Sequence, residues 1–147
     1  MPATIPDLWP NDLAVANVLT PLAIMRYQAG QLLQKTKGLL EAEVESGSNK
    51  ERTIHAFEIV APALGRYRYR LFTASHRPDL VYPVRVNAPF QFVYGRASVS
   101  EIDVPSQDEL FSAIGAILNA TQARSVIQSL IAQSNETSQN TPDTQEA

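Results

Sequence analysis

Residues 66–72 alternate: Arg66, Arg68 and Arg70 are interleaved with Tyr67, Tyr69 and Leu71, and Phe72 closes the run. A period of two places successive side chains on opposite sides of an extended backbone. This stretch predicts a β-strand over residues 66–75 with one arginine face and one aromatic and aliphatic face. Any fold containing it needs partner strands whose apolar sides face the same way.

Two neighbouring stretches meet that demand. Residues 53–60 and 80–87 both read as strands, joined to the first by turns at residues 61–65 and 76–79. The first turn contains Pro62 and Gly65, the second Pro78. Setting Val60 opposite Arg66 and Ser75 opposite Leu80 tests whether the faces agree. One face then carries His55, Phe57, Ile59, Tyr67, Tyr69, Leu71, Tyr82, Val84 and Val86. The other carries Ala56, Glu58, Arg66, Arg68, Arg70 and Arg85. All three strands choose the same apolar side, so an antiparallel sheet is expected. Pro83 marks its strand as an edge or as the site of a bulge. Phe90, Phe92 and Tyr94 alternate after Pro89, and residues 98–104 precede Pro105, so the sheet has three to five strands.

Helices flank these strands. Thr20 is placed to cap a helix with Pro21 at its first position, where a missing N–H costs nothing. Leu22, Met25, Ala29, Leu32, Leu33, Thr36, Leu39 and Leu40 recur at three- and four-residue spacing, and Val44 extends the stripe. This predicts a long N-terminal helix of about six turns. Gly30 and Gly38 would let it approach the sheet closely, and its excess length would serve as packing surface or as a homodimer seam. Glu41, Glu43 and Glu45 then fall at its solvated end, with an acid–base or metal cluster as the competing reading. Before it, residues 1–12 hold Pro2, Pro6 and Pro10 around Trp9 and predict an extended arm. Leu8 and Trp9 either anchor that arm to the body or meet a partner. Asn11 and Asp12 would cap a short helix over residues 13–19. At the other end Ser106 and Glu109 form a capping box before one amphipathic helix, and Thr121 opens a second. The expected architecture is α+β: the long helix against an antiparallel sheet, followed by two C-terminal helices. Residues 1–134 form a single domain, and residues 135–147, polar and acidic, a disordered tail.

The 147 residues suffice to bury a core without covalent staples, and there is no cysteine, which removes disulfides and thiolate chemistry. No basic start followed by an apolar run marks a signal peptide. The most apolar early stretch, residues 13–25, is interrupted by Asn17, Thr20 and Pro21 and is too short to span a bilayer. A cytoplasmic protein without membrane association is expected.

Charge is uneven along the chain. Residues 52–96 carry seven arginines against Glu58 and Asp79, while residues 97–147 carry Arg124 against seven acids. Catalytic signatures are missing: there is no glycine-rich phosphate loop, no nucleophile elbow and no zinc-protease motif. His55 is expected as a hydrogen-bonded core residue and His76 in a turn at the same sheet end. Asp79, Glu101 and Asp103 lack a following lysine. The sequence therefore points away from an enzyme and names no cofactor or metal. The candidate binding residues are Arg66, Arg68, Arg70 and Arg85. They would face an acidic protein partner, making the chain a protein-binding module of adaptor, chaperone or inhibitor type. The alternative is nucleic acid held through phosphates. The opposing structural reading is that these arginines pair with Glu58, Glu101 and Asp103 of the same chain.

Overall fold

The computed structural model describes residues 4–139. Helix α1 (Pro21–Lys35) is followed by strands β1 (Glu41–Ser48) and β2 (Thr53–Ala61). A 3-10 turn, η1 (Pro62–Leu64), leads to β3 (Tyr67–Arg77), β4 (Leu80–Tyr94) and β5 (Ala97–Val104), and helices α2 (Gln107–Leu118) and α3 (Thr121–Gln139) follow. The strands form one antiparallel sheet in the order β1-β2-β3-β4-β5. The α+β class and the antiparallel sheet therefore hold, with five strands.

The N-terminal helix is shorter than its apolar stripe predicts. Thr20 caps it through a bond from Ala23 N to Oγ1 at 3.2 Å, and Pro21 opens it. It ends at Lys35 because the next residues make a left-handed stop: Lys37 has φ 53° and Gly38 φ 84°. Gly38 N donates to Leu33 O and Lys37 N to Gln34 O, the paired bonds of a Schellman motif. Gly38 thus terminates the helix. It does not tighten packing, since a Cβ at Gly30 or Gly38 would meet no atom within 4 Å. The Thr36 hydroxyl then joins helix to sheet, accepting from Leu40 N at 3.1 Å and donating to Leu32 O at 2.9 Å.

The glutamates expected at the helix end lie on β1, where Glu41, Glu43 and Glu45 alternate with Ala42, Val44 and Ser46. The expected helix over residues 13–19 is absent too, leaving a turn at residues 11–14 in a segment otherwise without helix or strand. A helix of seven residues has too few internal bonds to stand without tertiary cover. Strand β4 runs unbroken through Pro89, gathering Phe90, Phe92 and Tyr94 into the strand that starts at Leu80. It is internal to the sheet. Regular pairing with β3 lapses between Ser75 and Arg77, near Pro83, where the chain needs no donor from the proline.

Pairing registers differ from the simplest hairpins. Val60 faces Arg68, Glu58 faces Arg70, and Ser75 faces Arg85. The first two follow from the turn, which closes one residue later with Ala61 opposite Tyr67, and the third from the irregularity between Ser75 and Arg77. Strand β3 is bulged as well: Phe57 pairs with Phe72 and Glu58 with Arg70, so Leu71 has no opposite number. Leu71 and Phe72 consequently both point inward, 0 % and 1 % exposed. Phe72 stacks on Phe57 with ring centroids 5.2 Å apart. Beyond the bulge the parity of β3 is reversed, and Ala74 and His76 replace the tyrosines on the buried side.

All three helices feed the same core as that side of the sheet. Ile24 and Met25 of α1, Leu110, Ile114 and Ile117 of α2, and Ala123 and Leu130 of α3 cluster with Phe57, Ile59, Leu71, Val84 and Val86. Helix α1 lies over β1 and β2, α2 over β4 and β5, and α3 beside η1. Ser106 Oγ accepts from Glu109 N at 3.3 Å, half of the predicted capping box. The Glu109 carboxylate accepts instead from Tyr94 OH at 2.6 Å, tying α2 to the end of β4. Helix α3 continues to Gln139, five residues into the expected tail; the rest of that tail lies outside the described residues. Among the described residues no helix is long and apolar enough to cross a membrane.

Candidate functional site

The outer face of the sheet gathers the candidate arginines in two separate groups. Each is paired within the chain. Glu58, 7 % exposed, is the centre of the first. Arg68 donates Nε and Nη2 to Glu58 Oε1 at 3.0 and 2.8 Å, and Arg70 donates the same pair to Oε2 at 3.1 and 2.9 Å. Arg68 also reaches Glu43 at 2.9 Å and Glu45 at 3.1 Å, and Arg66 reaches Glu43 at 3.2 Å. Burial pushes the Glu58 carboxyl up, but the bonds from Arg68 and Arg70 outweigh it and hold the group below the usual carboxylate range. Ala56 and Val60 share this outer face yet are 5 % and 0 % exposed, and Val60 lies opposite Glu41 on one side and Arg68 on the other, long side chains whose stems can cover apolar surface.

Arg85 forms the second group. Its Nε lies 3.0 Å from Asp103 and 3.3 Å from Glu101, both on β5. In total the face sets four arginines against Glu41, Glu43, Glu45, Glu58, Glu101 and Asp103. It is an ion-paired surface with an acidic excess.

The helical side leaves a gap. Leu64, Tyr67 and Tyr69 form one side of a cleft of about 560 Å³, and Val126 and Leu130 of α3 form the other. Gln122, Ser125, Ser129 and Gln133 complete the lining, which holds no charged residue. Such a surface combines apolar contact with amide and hydroxyl groups able to bond a peptide backbone. Helix α3 creates it by resting on η1 without lying flat over β3.

The arm is equally open. Leu8 and Trp9 are 84 % and 73 % exposed, so neither anchors residues 4–20 to the body. Ile5, Leu13, Val15 and Val18 are exposed as well. Among the described residues the one side-chain hydrogen bond to the sheet is at its base, where Tyr82 OH donates to Leu19 O at 3.1 Å. Contiguous apolar exposure of this extent is uncommon on a body that acts alone.

The two histidines meet on the buried side, their ring centroids 5.6 Å apart. His55 Nδ1 lies 2.7 Å from Ser46 Oγ. His76 Nδ1 lies 2.7 Å from Arg77 O, an acceptor only, so that nitrogen carries the proton. Burial, with lesser repulsion from His76 and Arg26, pushes the His55 imidazole below its ordinary value of 6.5. The pair is a hydrogen-bonded packing element whose rings are oriented by Ser46 and by the Arg77 carbonyl. Among the described residues no three His, Asp or Glu side chains are grouped to hold a metal ion.

No family model, curated protein or solved structure matches this chain. Sequence parity placed Arg66, Arg68, Arg70 and Arg85 on one face; it missed β1, and with it half of their acidic partners. The cleft had no sequence signal, because it depends on where α3 comes to rest. The exposed arm did have one, in the apolar residues spaced between Pro6, Pro10 and Asn17.

Proposed function

We propose that this chain is a non-enzymatic protein-binding module that takes an uncharged, apolar polypeptide segment into the cleft between β3 and α3. The observation that carries this reading is the cleft itself: aromatic and aliphatic walls, an amide and hydroxyl rim, and no charge. Extended peptides bind such surfaces through side-chain burial and backbone hydrogen bonds together. The arginine face supports recognition of an acidic protein or of nucleic acid less well. Its guanidinium groups are engaged by neighbouring carboxylates, and a partner would have to displace acids that outnumber them.

A photo-reactive side chain at Ser129, on the cleft rim, tests this in cells against the same group at Thr73, beside the arginines. Polypeptide adducts are expected from Ser129 and not from Thr73. Adducts from Thr73 alone would move the binding surface to the arginine face, and nucleic acid in those adducts would favour the alternative reading. No adduct from either position would remove the binding function.

A further inference from the structure

We infer that the segment received by this cleft is the N-terminal arm of a second copy of the same chain, so that two copies exchange arms. The inference rests on the cleft being a peptide-binding surface and names its occupant. Three observations point to a second copy.

The chemistry of the two surfaces matches. The cleft is uncharged, and residues 4–20 carry only Asp7 and Asp12 as charges against Ile5, Leu8, Trp9, Leu13, Val15, Val18 and Leu19. One chain thus bears both a donor segment and its receptor, the condition for a closed two-fold exchange.

Reach favours exchange over self-docking. The arm leaves the body at Leu19, held by Tyr82. Tyr82 lies beside the end of β3 near Arg77, whereas the cleft lies at the start of that strand, by Tyr67. The separation is about eight strand residues, on the order of 25 Å. An arm folded back onto its own cleft would spend about eight residues, 12–19, as a bridge, keeping Leu13, Val15 and Val18 out of the cleft. A second copy can lie along the whole arm.

The area is sufficient. Seven large apolar side chains, 41–85 % exposed, present on the order of 1,000 Å² per copy, and reciprocal exchange doubles it. Burying somewhat more than half of that total, in the cleft and on the body around it, would reach the roughly 1,200 Å² at which specific interfaces begin.

Trp9 is the only tryptophan, so its emission reports the arm alone. The test is a dilution series of the full chain, followed by sedimentation equilibrium and by Trp9 fluorescence. Mass should double with concentration, and Trp9 emission should move to shorter wavelength over the same range. Val126→Arg in the cleft and, separately, Leu8→Asp with Leu13→Asp in the arm should each shift that midpoint at least tenfold. The arm variant cannot unfold the body, because these residues make no core contact. Mixing the two variants should restore a heterodimer through one arm and one cleft. A buried Trp9 in a monomer at every dilution would mean self-docking and overturn the exchange, leaving the cleft a peptide site. A water-exposed Trp9 throughout would overturn it too, and the Ser129 adducts would then show whether the cleft binds another polypeptide. A dimer insensitive to both variants would place the interface elsewhere.

Discussion

Glu58 shows how one buried carboxylate can organise a surface. Four hydrogen bonds from Arg68 and Arg70 satisfy its two oxygens, so removing both arginines strips a nearly buried carboxylate of all four. Replacing Arg68 and Arg70 together by alanine should lower the thermal unfolding midpoint clearly more than replacing Arg66 and Arg85, whose acids stay in water. Equal losses would show that Glu58 draws nothing special from its site. Acidification probes the same residue and His55 separately. Both have folded-state pKa values below their unfolded ones, so for each the unfolded chain binds more protons as pH falls. Stability should therefore decline on acidification, the His55 share starting below pH 6.5 and the Glu58 share only in the carboxylate range. His55→Gln should flatten denaturant midpoints between pH 7 and 5.5 while leaving the lower limb in place. The burial of His55 was legible from its place in the 53–60 alternation. Its contact with His76 was not, because the bulge that turns His76 inward lies five residues away.

At the scale of elements, the sequence reading succeeds where period and punctuation agree. Residues 53–60 alternate between clear turns, and their strand extends only to Ala61. Residues 36–48 fail because the apolar spacing of Leu39, Leu40 and Val44 fits a helix as well as a strand. The deciding information is the left-handed stop at Lys37 and Gly38, and a lysine carries little such signal. The β3 bulge is legible in retrospect: Phe72 falls in step with the arginines, a place no core phenylalanine takes in a regular strand. It yields a sharp prediction. Leu71→Ala and Phe72→Ala should each cost about 2–5 kcal/mol in denaturant unfolding, because both side chains are fully enclosed. A cheap Phe72→Ala would mean that its ring lies on the outer face with the arginines, and would count against the bulge.

At the scale of the molecule, the sheet is a meander in which every strand pairs with its neighbour in sequence. Three helices shield one side unevenly. Among the described residues the other side carries no helix, and it is closed by its own ion pairs. Parity could foresee that the two sides differ, and the amphipathic stripes of α2 and α3 could foresee which side is shielded. Where α3 settles depends on contacts with η1 that no local pattern encodes.

The two outermost strands have a consequence for solubility. A meander leaves β1 and β5 with unsatisfied backbone groups along one side, ready to recruit another copy strand to strand. Here both rims are acidic: Glu41, Glu43 and Glu45 on one, Glu101 and Asp103 on the other. Two molecules meeting rim to rim would bring carboxylates face to face, which opposes endless polymerisation at neutral pH. Glu41, Glu43 and Glu45 replaced together by serine should make the protein form large particles by light scattering under conditions where the parent chain stays dispersed. The glutamates would then have two jobs, pairing with arginines inside one molecule and keeping its sheet from growing into the next.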